Sequence, residues 1–195
     1  MRTSYAVLLN GPPGIGKDTL ADKIVELTSI KKMEYKEGLR KATAKFFNVE
    51  LSIANTLFAD RILKEVPTPI FKGKTPRNAL IHTDTYLKQL HGKSMVGKWA
   101  AASVTKEIKK GKKAFIFSDS GFEPEAEMVA ECVDLIIVVQ LHHPDFNFDN
   151  DSRDYVNVDL KNSVTLKFRR LDGEIDSDTS RLIGLVSDIL WENRN

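Results

Sequence analysis

The chain has 195 residues, enough for one domain with its own hydrophobic core. Apolar residues make up 42% and charged residues 29%, and the basic residues (29) barely exceed the acidic ones (27), which argues against a dedicated nucleic-acid surface. The single cysteine excludes an internal disulfide, and the longest apolar run, residues 135–139, is too short to span a membrane. We therefore expect a cytoplasmic protein.

Strand and helix patterns alternate along the chain. Short apolar runs bounded by turn residues predict strands at residues 5–9, 33–36, 114–117, 135–141 and, as an edge strand, 164–168. Apolar residues three or four apart predict helices at residues 20–27, 39–47, 52–63, from 75–76 to 90, 96–109, 124–130 and 177–191. This alternation predicts an α/β fold, with a doubly wound, mostly parallel sheet of about five strands and helices on both faces.

A glycine-rich segment follows the first predicted strand and opens the first predicted helix. Its G-x-x-x-x-G-K pattern, in that setting, indicates the phosphate-binding loop of a three-layer P-loop NTPase fold. Glycines let consecutive backbone N–H groups converge on an anion, and the helix N-terminus adds its positive end. We expect Lys17 to reach the terminal phosphates of ATP. The residues expected to hold the phosphates are Gly11, Pro13, Gly14, Ile15, Gly16, Lys17, Asp18 and Thr19.

The expected magnesium ligands are oxygen donors around this loop. Asp18 stands where the usual loop has a serine or threonine that ligates Mg²⁺. Either the Asp18 carboxylate or the hydroxyl of Thr19 could serve, because Mg²⁺ prefers oxygen ligands. Asp119 closes a predicted buried strand, where ligands gather in a parallel sheet. Two roles are open for Asp119, an orienting role toward Mg²⁺ or the acceptor and the N-cap of the following helix.

The Gly-Lys-Asp-Thr sequence at residues 16–19 resembles the phage-type deoxynucleoside monophosphate kinases, within the P-loop nucleoside monophosphate kinase group. Four further segments resemble that family in the same order, and together they span nearly the whole chain. They are residues 39–47, the Thr-Pro-Arg segment at 75–77 with Leu80, residues 119–127, and Asp151-Ser152-Arg153.

The resemblance implies transfer of the γ-phosphoryl group of ATP, with Mg²⁺, to a deoxynucleoside monophosphate. Phosphate clamps favour arginine, whose planar fork binds two phosphate oxygens at once. Arg77 and Arg40 are candidates for gripping the acceptor phosphate, and a surface ion pair is the alternative for each. Arg153 is a candidate for covering the transferring group from a closing loop. Arg169 and Arg170, at the end of an edge strand, are expected to be solvated.

Two positions depart from the family pattern. Gly121 and Gln140 stand where the family usually carries arginines. Their absence favours two alternatives, a non-catalytic P-loop nucleotide-binding module and a P-loop kinase of another small-molecule acceptor. Phe146 and Phe148, in the polar segment near Arg153, could stack on a base or pack the segment onto the body.

The predicted organisation is a single kinase-like domain over residues 1–195. Within it, residues 48–95 are expected to form a reduced helical insert that binds the acceptor, and residues 142–157 a lid-like flap. The expected partners are small nucleotide substrates, without nucleic acid or membrane, and the sequence leaves a homodimer open. A phage origin would place the protein in the host cytoplasm.

Overall fold

The structure, a computed structural model, describes residues 3–149, 151, 153–171 and 173–193. Within these residues the strands are β1 (Tyr5–Asn10), β2 (Lys31–Met33), β3 (Ala114–Phe117), β4 (Leu135–His142) and β5 (Ser163–Arg169). The helices are α1 (Lys17–Leu27), α2 (Lys36–Phe46), α3 (Leu51–Ala59), α4 (Pro76–His91), α5 (Met95–Lys109), α6 (Glu123–Ala130) and α7 (Ile175–Glu192). Short 3₁₀ turns cover Leu63–Glu65 and Pro69–Phe71.

The strands form one parallel sheet in the order β2-β3-β1-β4-β5. The first strand lies in the middle, between β3 and β4. The chain leaves β1 toward one edge of the sheet and later crosses to the other, so the strand order reverses beside β1. Ligands of open parallel sheets bind beyond the carboxyl ends of the strands at such a reversal. The sheet therefore places the glycine-rich loop at the expected binding position.

Helices cover both faces of the sheet, as the sequence predicts. Ala6 and Leu8 of β1 face a core built with α5 and α6, while Val7 and Leu9 face one built with α1 and α7. A third, smaller cluster lies among α2, α3 and α4, and its buried members are Ala44, Phe47, Ala54, Phe58, Phe71 and Ala79. The predicted three-layer α/β fold is confirmed, whereas the acceptor-binding role of residues 48–95 stays a prediction.

The second strand is the element whose predicted position was wrong. It covers Lys31–Met33 instead of residues 33–36, because the chain turns into α2 at Tyr35. The carboxylate of Asp119 explains the turn, since its two oxygens accept hydrogen bonds from the backbone N–H groups of Tyr35 (3.1 Å) and Lys36 (3.0 Å). A carboxylate at the start of a helix accepts hydrogen bonds from amides that have no partner within the helix, and its negative charge interacts favourably with the positive end of the helix dipole.

No helix in the described part of the chain is long and apolar enough to cross a bilayer.

The packing of α5 on α6 generates a testable prediction. A Cβ atom on Gly97 would lie 2.6 Å from the Cα and 2.8 Å from the carbonyl oxygen of Glu125. Gly97→Ala is therefore expected to lower the free energy of unfolding by ~1–3 kcal/mol, the usual cost of overpacking. Urea denaturation measures this change.

The matched control is Gly184→Ala on α7, where no atom lies within 4 Å of the added Cβ. There the substitution should raise stability by about 0.5–1 kcal/mol, because alanine favours a helix over glycine. Equal effects at the two positions would contradict the close approach of the helices.

Candidate functional site

The glycine-rich loop joins β1 to α1 in a conformation that suits an anion. Gly14 and Gly16 have φ angles of 81° and 88°, in the left-handed region that glycine tolerates best. Gly16 is the N-cap of α1, and no side chain caps this end of the helix. The first amides of α1 are thus not committed to a side-chain cap. Pro12 and Pro13 have no N–H group, so after Gly11 the next backbone donor of the loop is Gly14.

Lys17 lies folded over the loop. Its ammonium group donates hydrogen bonds to the carbonyl oxygens of Gly11 (2.6 Å) and Pro12 (2.7 Å), and the residue is only 9% exposed. Burial, followed by the positive charge of Arg153, lowers the pKa of Lys17 to about 8. An anion that binds beside this buried ammonium group would stabilise its charged form.

Oxygen donors gather at the carboxyl ends of β1 and β3. The hydroxyl of Ser118 donates to a carboxylate oxygen of Asp18 (2.6 Å), and the ammonium of Lys32 lies 3.5 Å from that oxygen. Burial acts to raise the pKa of Asp18, but the hydrogen bond from Ser118 and the charge of Lys32 outweigh it and lower the pKa. Asp18 is therefore ionised at neutral pH. Thr19 is exposed on the same first turn of α1.

These residues fit a magnesium ion that arrives with a nucleotide. Mg²⁺ is usually held by one or two carboxylates together with phosphate oxygens and water. Asp18 and Asp119 supply two carboxylates and Thr19 a hydroxyl, whereas the described residues contain no cluster of three or more acidic, histidine or cysteine side chains that could hold a metal alone. The roles of Asp18, Thr19 and Asp119 toward Mg²⁺ stay predictions.

Arg153 occupies the space beside Gly121. A Cβ atom on Gly121 would overlap Cδ of Arg153 and come within 2.9 Å of its Cγ. The guanidinium forms two hydrogen bonds with the carboxylate of Asp151, at 2.8 and 2.6 Å. These bonds, together with the charge of Lys17, lower the pKa of Asp151 to about 2. The stem of Arg153, from the flap, thus fills the space beside position 121.

The second half of the flap is tied to the ends of the central strands. The fully buried side chain of Asn10 donates to the carbonyl oxygen of Asp154 (3.2 Å) and accepts from the N–H of Val156 (2.8 Å). Gln140 donates to the carbonyl oxygen of Val156 (3.0 Å). Gln140 therefore positions the flap that carries Arg153. Ser152, part of the segment that resembles the family, lies outside the described residues.

The flap aromatics take different places. A Cβ on Gly14 would lie 3.1 Å from the ring of Phe146, which places this ring over the phosphate loop. Phe148 packs edge-on against Tyr155, with ring centroids 5.0 Å apart. Tyr155 in turn stacks on His142 (4.2 Å). Of the two flap residues considered for base stacking, Phe148 packs within the flap and Phe146 faces the loop.

Arg40 and Arg77 both have ion-pair partners. Arg40 lies 2.7 Å from Glu34, and Arg77 donates from two nitrogens to Glu65 at 2.8 and 2.6 Å. The side chain of Arg77 is 53% exposed. Nε of Arg40 is buried without a hydrogen bond among the described groups. The contacts show the ion pair that was the alternative for each residue, and their acceptor roles stay predictions.

The expectation that Arg170 is solvated was wrong. Its side chain is 11% exposed and donates to the carbonyl oxygens of Ile15 (3.0 Å) and Gly16 (3.4 Å) in the phosphate loop. Its Nε also donates to Asp178 (2.6 Å). The sequence signal that could have found it is the acidic residue eight positions later, in the first turn of a helix.

A cleft of about 550 Å³, which no sequence pattern indicates, lies between α4 and the start of α6. Lys88 lines it, lying 2.9 Å from Asp84, 3.4 Å from Glu125 and 4.5 Å from the centre of the Phe122 ring. Burial raises the pKa of Glu125 to about 7, against the opposing charge of Lys88. Gln89 and Lys93 complete the polar lining.

Comparisons with known proteins support the fold. No family model and no curated protein matches the chain. A candidate kinase of known structure from Chloroflexus aurantiacus matches with a TM-score of 0.50 and 10% identity, over 96% of this chain and 98% of that one. An unliganded sugar kinase from Janibacter sp. matches with a TM-score of 0.49 and 11% identity, over 95% of each chain. A shikimate kinase from Acinetobacter baumannii, in complex with shikimate, has a TM-score of 0.42 and 12% identity, over 95% of this chain and 94% of that one. At 10% identity, the match with a TM-score of 0.50 shows the fold alone and does not indicate a substrate.

The depressed pKa of Lys17 predicts proton uptake when an anion binds. In the free protein Lys17 is largely neutral above its pKa of about 8, and a bound polyphosphate favours the ammonium form. Binding of magnesium tripolyphosphate at roughly pH 8.5 should therefore take up a fraction of a proton, whereas at pH 6.5 Lys17 should add none.

Titration calorimetry in buffers of different ionisation enthalpy measures this uptake. Lys17→Met is the control, and it should abolish the buffer dependence at the higher pH. The same buffer dependence in the variant would assign the proton to another group.

Proposed function

We propose that this protein is an ATP- and magnesium-dependent kinase that phosphorylates a nucleoside or deoxynucleoside monophosphate. The observation that carries the proposal is a group of mutually interacting charges at the start of α1, a helix end that no side chain caps. The charges of Arg153 and Asp18 act on Lys17, and the charge of Asp119 acts on Arg153. The shared fold with a candidate kinase supports phosphoryl transfer in general terms.

The chemistry needs positioned positive charge more than acid or base groups. The bond between the γ-phosphorus and its bridging oxygen breaks, its electron pair stays with ADP, and a phosphate oxygen of the acceptor forms the new bond. The amides of residues 14–19 and Lys17 hold the donor phosphates. Arg153 balances the charge on the transferring group. Magnesium held by Asp18 or Thr19 with Asp119 would neutralise the phosphates further.

A phosphate acceptor suits the carboxylates of the site. A monophosphate has its second pKa at roughly 6 and is already ionised at neutral pH, so its oxygen needs no general base. A hydroxyl acceptor needs a base to take its proton. Asp119 accepts two backbone amides, and Asp18 is held by Ser118 and Lys32. Neither carboxylate is free for proton abstraction in this arrangement.

The cleft beside α4 is our proposed acceptor pocket. Its volume of about 550 Å³ lies within the range of small-molecule sites, roughly 300–1,000 Å³. Phe122 offers an aromatic face, and Gln89 offers an amide that can hydrogen-bond a base edge. Phe122 follows Gly121, against which Arg153 packs. A nucleotide in the cleft would therefore direct its phosphate toward Arg153 and its base toward α4.

One observation favours a different acceptor. Glu125 lies 3.4 Å from Lys88 of the cleft and has a pKa raised to about 7, a value that suits a general base for a hydroxyl group. Its carboxylate is held by Lys88 and is 6% exposed. Phosphorylation of a hydroxyl compound, with no turnover of monophosphates, would select this candidate.

The direct test is ADP release in a coupled assay with each of the eight common ribo- and deoxyribonucleoside monophosphates. We expect turnover with at least one of them. Lys17→Ala should reduce kcat at least about a hundredfold, because it removes a charge that acts on the transferring group. Lys112→Ala is the control, since Lys112 precedes β3 and therefore lies at the amino ends of the strands, opposite the phosphate loop.

Lack of turnover with all eight, while ATP still binds, would contradict a nucleotide acceptor. A bisubstrate analogue, two nucleosides bridged by five phosphates, then separates a kinase from a non-catalytic module. A kinase should bind it much more tightly than ATP because it fills both pockets, and a module should bind both alike.

Gly121→Ala tests the placement of Arg153. The added Cβ displaces the stem of Arg153 from its position, so kcat should fall about tenfold or more with little change in the KM for ATP. Arg153→Met should give a comparable loss. The double variant should be no worse than the single ones, because both act on the same group. Additive losses would show that Gly121 acts independently of Arg153.

A further inference from the structure

We propose that Arg170 is a positioning residue of the phosphate loop, which aims the amides of Gly16 and Lys17 at the polyphosphate by holding the carbonyls behind them. The inference rests on the proposed function only in requiring that the loop bind a polyphosphate, and it is independent of the acceptor.

The geometry places Arg170 on the side of the loop where the carbonyls point. Arg170 follows β5, and its Nη1 donates to the carbonyl oxygens of Ile15 (3.0 Å) and Gly16 (3.4 Å). A Cβ on Gly16 would lie 3.0 Å from this nitrogen. Glycine is therefore required at position 16 for two reasons, the φ angle of 88° and the close approach of the guanidinium.

The planarity of the peptide bond converts these contacts into an orientation of the amides. In a trans peptide the C=O and N–H groups point in opposite directions. The carbonyl of Ile15 shares a peptide plane with the N–H of Gly16, and the carbonyl of Gly16 shares one with the N–H of Lys17. Arg170 thus holds the carbonyl of Ile15 and shares the carbonyl of Gly16 with the N–H of Leu20 (3.0 Å) in α1. Both N–H groups then stay on the opposite side, where we expect the anion to bind.

Asp178 fixes the guanidinium in place. It is fully buried in the first turn of α7 and accepts hydrogen bonds from Nε of Arg170 (2.6 Å) and from the N–H of Leu171 (3.2 Å). Its other oxygen accepts from Arg181 (3.0 Å). Two guanidinium groups thus share one carboxylate, and only Arg170 is shown to reach the loop.

This arrangement supplies a matched pair of variants. Arg170→Ala and Arg181→Ala each leave Asp178 with one arginine, so neither strands a buried charge. Arg181 donates to Asp178 and to the carbonyl of Arg169, outside the loop. A general structural role of the network would affect both variants alike, whereas orientation of the amides would affect only Arg170→Ala.

The experiment measures the Kd of magnesium ATP by calorimetry for the full chain and both variants, with melting temperatures as a check on folding. We expect Arg170→Ala to raise the Kd about tenfold, the factor for losing one charge-assisted contact, and Arg181→Ala to change it less than about twofold. Guanidinium ion at low millimolar concentration should partly restore binding to Arg170→Ala only.

The remaining outcomes distinguish a failure of this proposal from a failure of the proposed function. Unchanged affinity in Arg170→Ala overturns the positioning role and leaves the proposed function intact. Equal losses in the two variants show a structural network and also overturn it. Wild-type protein that binds no magnesium ATP overturns both proposals. Wild-type protein that binds ATP without phosphoryl transfer overturns the proposed function alone.

Discussion

The site depends on how the backbone of the short loop between β1 and α1 is oriented. Its carbonyl groups point to one side of the loop and its amide groups to the other. Cations lie against its carbonyls, with Lys17 on Gly11 and Pro12 and Arg170 on Ile15 and Gly16. Backbone carbonyls that are kept from water must find donors. Because these donors are charged side chains, they satisfy the carbonyls and make the surroundings of the loop positive. The amides from Gly14 onward then face an environment that favours an anion.

Charge at this site is distributed across distant parts of the chain. Arg153 comes from the flap, Asp119 from the end of β3, and Arg170 from the end of β5. Small or uncharged residues make room for them or hold them. Gly121 leaves space for the stem of Arg153, and Asn10 with Gln140 ties the flap backbone to the sheet. Gly121 and Gln140, which stand where the resembling family carries arginines, therefore help to place Arg153.

Local signals predicted what local forces determine. Apolar periodicity and the positions of glycine and proline predicted the five strands, the phosphate loop and most helix limits. Each of these signals extends over only a few residues of sequence. The second strand was misplaced because α2 begins earlier than its periodicity predicts. The cause is not local, since the carboxylate that accepts the N–H of Tyr35 lies 84 residues away in sequence. The contacts of Arg170, the space beside Gly121 and the cleft beside α4 also depend on residues far apart in sequence. No periodicity encodes such contacts, and only the folded chain brings them together.

The ion pair between Arg153 and Asp151 has a consequence for anion selectivity. The carboxylate of Asp151 neutralises the guanidinium of Arg153 by accepting from Nε and Nη2, and Nη1 stays outside this pair. An anion that binds Arg153 would thus join an arginine whose charge is already balanced, and it would gain less there than from an unpaired arginine. We therefore expect a small, singly charged anion to gain little, and a polyphosphate that also engages Lys17 and the loop amides to gain more.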